Sequence, residues 1–96
     1  MKTTKSSNNI FKDLGFHGEE AENLRVRAML MTAIEKHIKS EKMTQAKAAK
    51  KLGVTQPRIS DLIRGKIDVF SVDTLIAMLA QAGLKVKIQI TKHKAA

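Results

Sequence analysis

Two short amphipathic segments dominate the pattern of apolar and polar positions in this chain. Each predicts a helix, because its apolar side chains recur at intervals of three or four residues. The apolar positions of the first segment, residues 45–52, are Ala46, Ala49 and Leu52. Those of the second segment, residues 56–64, are Ile59, Leu62 and Ile63. Gly53 lies between the two segments and predicts a tight turn, because glycine adopts the left-handed conformation at little cost.

The residues at the ends of both segments support the same interpretation. Thr44 and Thr55 precede the two helices, where a threonine hydroxyl can accept hydrogen bonds from the free N–H groups of a first turn. Pro57 falls in the first turn of the second helix, where its missing N–H does no harm. Val54 can fill the corner between the helices, and Gly65 ends the second helix. Together these signals predict a helix-turn-helix.

The second helix has a polar face opposite its apolar face. The members of this polar face are Pro57, Ser60, Asp61 and Arg64, with Gln56 and Arg58 on its flanks near the N-terminus. In a helix-turn-helix the apolar face anchors the second helix to its own domain, and the polar face enters a DNA major groove. The pattern therefore predicts a DNA-binding helix.

Residues 19–40 predict a longer helix. Its first turn carries three carboxylates at positions 19, 20 and 22, which are better explained as helix-end charges than as an acid/base pair. A stripe at helical spacing contains Leu24, Ala28, Met31, Ile34 and Ile38, and is widened by Val26, Met29, Leu30 and Ala33. Two interpretations remain open: a deeply buried helix, or a helix that partly faces a second subunit or another protein.

A further helix and a strand are predicted near the C-terminus. Ser71 is the predicted N-cap of this helix, and Gly83 ends it. Its predicted core face is Leu75, Ile76, Met78 and Leu79, with Phe70 and Val72 packing its start. Residues 84–91 then alternate strictly between apolar and polar side chains, which predicts a strand. A lone strand leaves backbone groups unsatisfied, so it should pair with residues 10–14 or with a second copy of the chain.

These elements define a fold class and a division of the chain. The expected fold is mainly α-helical, with a helix-turn-helix and a short C-terminal β-strand that pairs between subunits. Residues 10–91 form the expected domain, residues 1–9 a disordered basic tail and residues 92–96 a second tail. A chain of 96 residues buries only about 60–65% of its unfolded surface. Dimerisation would therefore stabilise it.

The basic residues are unevenly distributed along the chain. There are 18 Lys and Arg against 9 Asp and Glu, a formal net charge of +9 at pH 7. Residues 11–43 are balanced, with six side chains of each sign, whereas residues 44–66 carry six basic side chains against Asp61. The excess therefore lies on the helix-turn-helix and on the two ends, and it favours a polyanion such as nucleic acid or an anionic membrane surface.

Few residues could support catalysis or metal binding. The chain has no cysteine, and its three histidines are far apart, so no catalytic residue, metal ligand or cofactor is predicted. All three aromatic residues are Phe, which argues against an RNA-binding module that stacks bases. The longest apolar run, residues 75–80, is too short to span a bilayer, and no secretory signal is recognisable. We expect a non-enzymatic cytoplasmic protein, associated with the nucleoid and not with a membrane.

The helix-turn-helix residues resemble those of the Xre/Cro-like family of phage and bacterial repressors. The matching residues, in register, are Gln45, Ala49, Leu52, Gly53, Thr55, Gln56, Ile59, Arg64, Gly65 and Lys66. The resemblance implies a lambda-repressor-like helical bundle that binds double-stranded DNA as a homodimer. One reading helix of each subunit would enter successive major grooves of a palindromic operator, about 34 Å apart. The predicted C-terminal strand departs from this family, which usually has a further helix there.

The resemblance and the side-chain chemistry together imply base-reading roles. By resemblance, Gln45 would hold a phosphate or position Gln56, and Thr55 or Gln56 would open the reading surface. A glutamine can pair with adenine, and Arg58 could pair with guanine. Pro57 has no side-chain donor or acceptor, so fewer positions of the helix can form hydrogen bonds with bases.

The remaining site residues have weaker or less specific roles. Ser60 and Asp61 are secondary candidates for base contacts, and Asp61 could accept from a cytosine amino group. Its carboxylate could instead form an ion pair with Arg58 or Arg64. The expected phosphate contacts are Lys47, Arg64 and Lys66.

Longer motifs resemble the small Xre-type antitoxins of the HigA kind. They are residues 13–16 (DLGF), 20–25 (EAENLR), 55–60 (TQPRIS), 64–68 (RGKID) and 70–75 (FSVDTL). Such antitoxins repress their own operon and neutralise a small ribonuclease-like toxin, which the resemblance implies as a partner. Three functions remain open: a DNA-binding regulator, with or without a toxin; a protein-binding inhibitor whose DNA binding is secondary; and a nonspecific nucleoid-coating protein.

Overall fold

The computed structural model describes residues 18–92 of the chain. Within them lie four α-helices: α1 (Gly18–Ser40), α2 (Gln45–Leu52), α3 (Gln56–Ile63) and α4 (Val72–Gln81). A 3₁₀ turn, Ile67–Val69, connects α3 to α4. The predicted mainly α-helical fold is confirmed. Helix α3 ends one residue earlier than predicted, because Arg64 already leaves the helical conformation (φ −82°, ψ 2°).

The ends of α1 and α4 follow from their local sequence. Helix α1 begins with the carboxylates of Glu19 and Glu20, which favour the positive end of the helix dipole. Ser71 caps α4, because its hydroxyl oxygen accepts a hydrogen bond from the Thr74 N–H at 3.1 Å. The start of α1 is therefore stabilised by charge and the start of α4 by a hydrogen bond, and both signals are readable in the sequence.

All four helices contribute to one hydrophobic core. The core comprises Met31, Ile34 and Ile38 from α1, Ala48, Ala49 and Leu52 from α2, Ile59 and Leu62 from α3, Phe70, and Leu75, Met78 and Leu79 from α4. Helix α1 packs against α4, α3 and the 3₁₀ turn, and α2 packs against α3 and α4. Each large side chain that is removed from water contributes about 1.5–3 kcal/mol to folding. This shared core holds α2 against α3.

Some predicted core positions are wrong in detail. Ala46 is exposed and Ala48 is buried in its place, because α2 packs against both α3 and α4 and turns the Ala48 side inward. Ile63 and Ile76 lie at the edge of the core, with exposed fractions of 39% and 37%. Ala28 is also exposed. The buried arc of each helix is therefore narrower than its apolar stripe.

Helix α1 is buried on one side only within residues 18–92. Its outer face exposes Ala28, Ala33 and 59% of Met29, so the interpretation of a deeply buried helix is not confirmed. Although α1 has 23 residues, no helix in the described range is long and apolar enough to cross a bilayer. The alternative, that this face meets a second subunit or another protein, stays a prediction.

The predicted C-terminal strand is not seen among residues 18–92. Beyond α4 the Leu84 N–H bonds to the Leu79 carbonyl at 2.9 Å, and Val86 packs half-buried against the core. Ile88 and Ile90 then project into solvent, with 74% and 86% of their surface exposed. A strand needs a paired neighbour. The proposed partner within the chain, residues 10–14, lies outside the described residues. The two predicted tails also lie outside them, apart from residue 92. Pairing between subunits therefore stays a prediction.

Candidate nucleic-acid interface

Helix α2 begins at Gln45 because Thr44 caps it. The Thr44 hydroxyl oxygen accepts a hydrogen bond from the Lys47 N–H at 3.1 Å, and the Thr44 backbone is extended (φ −74°, ψ 166°), as an N-cap requires. The predicted cap is confirmed. Gln45 and Lys47 are both exposed in this first turn, so the start of α2 presents an amide and an ammonium group to solvent.

The turn between α2 and α3 depends on glycine. Gly53 has φ 72° and ψ 31°, a left-handed conformation, and its N–H donates to the Ala49 carbonyl. A Cβ atom at Gly53 would lie 2.9 Å from Cγ of Gln81 in α4. Val54 follows, donates from its N–H to the same carbonyl at 3.0 Å, and packs half-buried against the core. The predicted left-handed turn and the corner-filling role of Val54 are confirmed.

Helix α3 is anchored along its apolar side. Its N-cap is Thr55, whose hydroxyl oxygen accepts from the Arg58 N–H at 3.4 Å, and Pro57 lies in the first turn. Ile59 is fully buried and Leu62 is 2% exposed. Because these two side chains fix the rotation of α3 about its axis, they also fix which of its side chains face away from the domain.

The predicted site residues fall into two groups by exposure. The exposed members are Gln45, Lys47, Thr55, Gln56, Pro57, Arg58, Arg64 and Lys66, and the half-buried members are Ser60 and Asp61. At about 100° per residue, Pro57, Ser60 and Arg64 lie opposite the buried side of α3. The Gln56 amide lies on one flank and makes no hydrogen bond to any residue of the range 18–92.

Arg58 differs from the other candidates because its guanidinium is already engaged. Its Nη1 donates to the Val69 carbonyl at 2.6 Å, and its Cζ lies 5.5 Å from the centre of the Phe70 ring. The side chain therefore runs along the flank of α3 towards the 3₁₀ turn. The predicted pairing of Arg58 with guanine stays a prediction.

Asp61 also has a partner other than the ones anticipated. Its Oδ1 lies 3.9 Å from Nζ of Lys66, and the two side chains are 28% and 48% exposed. The sequence suggested Arg58 or Arg64 as partners at helical spacing, but Lys66 returns alongside α3 because the chain reverses at Gly65 (φ 73°). A partly exposed pair at this distance contributes little stability.

Sequence reasoning missed the role of Arg27. This α1 residue is half-buried, and its Nη1 donates to the carbonyls of Ile67 at 3.0 Å and Phe70 at 3.4 Å. No local signal could have found it, because the contacts join residues 40 and 43 positions apart. The 3₁₀ turn, Ile67–Val69, therefore has arginine contacts from both α1 and α3.

The surface formed by α2, α3 and the 3₁₀ turn is basic and rich in hydrogen-bond donors. Residues 44–69 contribute six basic side chains against two carboxylates, Asp61, which is paired with Lys66, and Asp68 in the 3₁₀ turn. Such a surface can neutralise phosphates with its cations and read base edges with amide and hydroxyl groups. Within residues 18–92, no three potential metal-binding side chains of His, Cys, Asp or Glu come together.

Comparisons with known proteins agree with this geometry. A family model described as "Helix-turn-helix domain" matches residues 10–91. The chain is also similar to a solved structure named "Putative XRE Family Transcriptional Regulator", with 34% identity and a TM-score of 0.72. That similarity covers 80% of this chain and 90% of the other. A comparison with curated proteins gives no match.

Proposed function

Because this chain belongs to the Xre-like family of helix-turn-helix domains, we propose that it is a sequence-specific DNA-binding transcriptional regulator. One observation carries the proposal. Helix α3 is anchored by Ile59 and Leu62, and its opposite face is polar, exposed and flanked by cations. A helix of this kind fits the DNA major groove, while the start of α2 approaches the phosphate backbone. The protein acts as a repressor, in the simplest case of its own gene.

Direct reading of bases is assigned to the exposed side of α3. Gln56 is the principal base-reading residue, because its amide is exposed and can donate to and accept from adenine at the same time. Thr55 and Ser60 provide hydroxyl groups, and Pro57 contributes contact surface only. Asp61 reads cytosine only if Lys66 releases its carboxylate.

Phosphate binding is assigned to the cationic rim. Its members are Lys47 on α2, Arg64 at the end of α3 and Lys66 on the following turn, with Gln45 as a neutral donor. Each cation that neutralises a phosphate makes the binding constant fall with salt, with a slope of about −0.9 per contact. These contacts position the protein without selecting a sequence.

The regulator acts as a homodimer, and the C-terminal segment supports this part of the proposal. The apolar row that begins at Val86 on the core continues to the exposed side chains of Ile88 and Ile90. Antiparallel pairing of residues 84–91 with a second copy would cover both isoleucines and pair the backbone groups along one edge of each strand. Two copies of α3 would then read half-sites about 34 Å apart.

The DNA-binding proposal is tested by selection from a random double-stranded DNA pool, followed by fluorescence anisotropy. We expect a recovered duplex that binds more tightly than a scrambled duplex at near-physiological salt. Gln56→Ala should lose about 1–3 kcal/mol and relax preference at one base pair, whereas Lys47→Ala should weaken all duplexes alike. The exposed Lys39 on α1 provides a matched control, Lys39→Ala, that should change neither property. Equal binding of both duplexes would instead indicate a nonspecific basic surface.

Autoregulation needs its own measurement. The same anisotropy assay is repeated with the DNA immediately upstream of the gene and with its scrambled counterpart. Preferential binding of the upstream duplex supports self-repression. If the recovered site is absent from this region, the protein remains a proposed DNA-binding regulator, but the autoregulatory part of the proposal is refuted.

A second function, neutralisation of a small ribonuclease-like toxin, is proposed from the HigA-type resemblance and the outer face of α1. Ala28, Ala33 and Met29 leave an apolar surface there, bordered by Arg25 and Lys36. Arg25 donates hydrogen bonds to the Glu22 carboxylate, and these raise the pKa of its guanidinium. An exposed apolar surface with a charged border is suited to a protein partner.

The toxin proposal is tested by co-expression with the product of the neighbouring gene. A stable stoichiometric complex and restored growth would support it, and no association would remove it. Met29→Glu should break the complex while leaving DNA binding intact, because Met29 lies on α1 and not on the helix-turn-helix. Lys47→Glu on α2 is the matched control, which should weaken DNA binding and preserve the complex.

A further inference from the structure

The 3₁₀ turn after α3 is held by arginines from two different helices. Arg27 of α1 donates to the carbonyls of Ile67 and Phe70 at 3.0 and 3.4 Å. Arg58 of α3 donates to the Val69 carbonyl at 2.6 Å. Three of the four carbonyl groups from Ile67 to Phe70 therefore accept from a guanidinium, and both donors are permanently charged.

A second contact of the Arg58 guanidinium reinforces this arrangement. Its Cζ lies 5.5 Å from the centre of the Phe70 ring, and Phe70 is only 1% exposed. The ring is thus a fixed part of the core, and the guanidinium faces it while bonding the turn. A guanine contact needs two donors of the same planar group. The bond to Val69 already occupies one N–H of Nη1 and holds this planar group beside the 3₁₀ turn on the flank of α3, so a guanine contact would compete with its place against the turn.

The position of Lys66 depends on this turn. Its backbone N–H bonds to the Asp61 carbonyl at 2.9 Å, and the Val69 N–H bonds back to the Lys66 carbonyl at 3.2 Å. Its ammonium group lies 3.9 Å from the Asp61 carboxylate and remains 48% exposed. Lys66 is therefore connected to Val69 through the backbone, and Val69 is connected to α3 through Arg58.

We propose that Arg58 is a positioning residue that holds the 3₁₀ turn against α3, so that Lys66 is presented to the DNA backbone, and that Arg58 contacts no base. This inference rests on the proposed DNA-binding function and assigns the roles within it. Base reading then falls to Gln56 and the hydroxyl groups of Thr55 and Ser60. Arg27 supports the same turn from α1.

The test compares Arg58→Ala in the wild-type and Lys66→Ala backgrounds. The probe is the duplex recovered by the wild-type protein, together with a set of its single-base-pair variants, titrated by anisotropy at several salt concentrations. A positioning residue lowers affinity for every duplex by the same factor, about three- to tenfold, and reduces the salt slope by about 0.9. Both effects should disappear when Lys66 is already alanine. Arg27→Ala should reproduce the pattern, because it releases the same turn from the other side.

Each alternative gives a different result and would overturn the proposal. A base contact makes Arg58→Ala lose selectivity at one base pair, while Arg27→Ala leaves selectivity unchanged. A direct phosphate contact reduces the salt slope by about 0.9 in both Lys66 backgrounds. Far-UV circular dichroism establishes that each variant is folded before it is titrated. The salt-slope comparison also works on random-sequence duplexes. If the protein binds without sequence preference, the proposed function is refuted, but the salt slopes of the variants still show whether Arg58 acts through Lys66.

Discussion

Replacement of Gly53 by alanine tests the turn that joins the two helices of the reading unit. The left-handed backbone costs an L-residue about 1–2 kcal/mol, and reduced freedom of the unfolded chain offsets about 0.4–1 kcal/mol of this. In addition, the new Cβ would lie 2.9 Å from Cγ of Gln81. Because Gln81 is a flexible, exposed side chain, it can move at a rotamer cost of about 0.5–1.5 kcal/mol. We therefore expect Gly53→Ala to lose about 2 kcal/mol in total.

Gly65 provides a matched control for this prediction. Its φ of 73° is almost the same as that of Gly53, but apart from its chain neighbours no atom lies within 4 Å of the place that a Cβ would take. Gly65→Ala should therefore lose only the backbone part, about 1 kcal/mol. In a Gln81→Ala background, Gly53→Ala should fall to the same value. The difference between the two glycines isolates the contact between α4 and the turn.

Urea unfolding followed by far-UV circular dichroism measures these losses, since the chain has no Trp or Tyr to report by fluorescence. With a slope of about 1 kcal/mol per molar urea, the midpoints should fall by about 2 M for Gly53→Ala and about 1 M for Gly65→Ala. Protein concentration must be fixed, because the proposed dimerisation would be linked to unfolding. Equal losses at both glycines would refute the Gln81 contact, and losses below about 0.5 kcal/mol at both would refute the left-handed turns.

Three further predictions concern the core, the cap and the rim. Ile59→Ala should lose about 2–5 kcal/mol of stability in urea unfolding, because Ile59 is fully buried. Met29→Ala, at a 59% exposed position, should change stability by less than about 0.5 kcal/mol, and similar losses for the two variants would contradict the assigned core. Thr55→Ala should lose about 1 kcal/mol and Thr55→Ser should restore most of it, whereas no recovery with serine would argue against the hydroxyl cap. Lys66→Ala should change stability by less than about 0.5 kcal/mol, because its ion pair with Asp61 is long and partly exposed. The same variant should weaken binding to every duplex in the anisotropy assay. A large loss of stability would mean that the ion pair is structural.

The elements of this fold were predictable because their signals are local. Thr44, Thr55 and Ser71 satisfy N–H groups three residues ahead, and Gly53 adopts a conformation that other residues avoid. Such signals need no knowledge of the rest of the chain. They determined where the helices begin and end to within about a residue, and hence which residues could form the DNA-reading face.

Burial and side-chain direction were less predictable, because they depend on neighbours that are distant in sequence. Ala46 and Ala48 have the same chemistry, and only the packing of α2 on two other helices buries Ala48. The sequence suggested a base-reading role for Arg58, but it could not show the hydrogen bond to Val69, which lies eleven residues further along the chain. Arg27 showed no functional signal at all. Contacts of this kind follow from the assembled core and not from helical periodicity.

The shortness of α2 and α3 has a consequence for how DNA binding could be lost. Helices α2 and α3 have eight residues each, whereas an isolated helix shorter than about 12–15 residues is marginal in water. Neither helix can therefore persist after the α1 and α4 side chains that cover it are removed. A fragment containing the helix-turn-helix alone would be unstructured, and proteolytic cleavage within α1 or α4 would abolish DNA recognition in a single step. Under the proposed function, turnover of this protein in a cell would thus end DNA binding without leaving a partly active remnant.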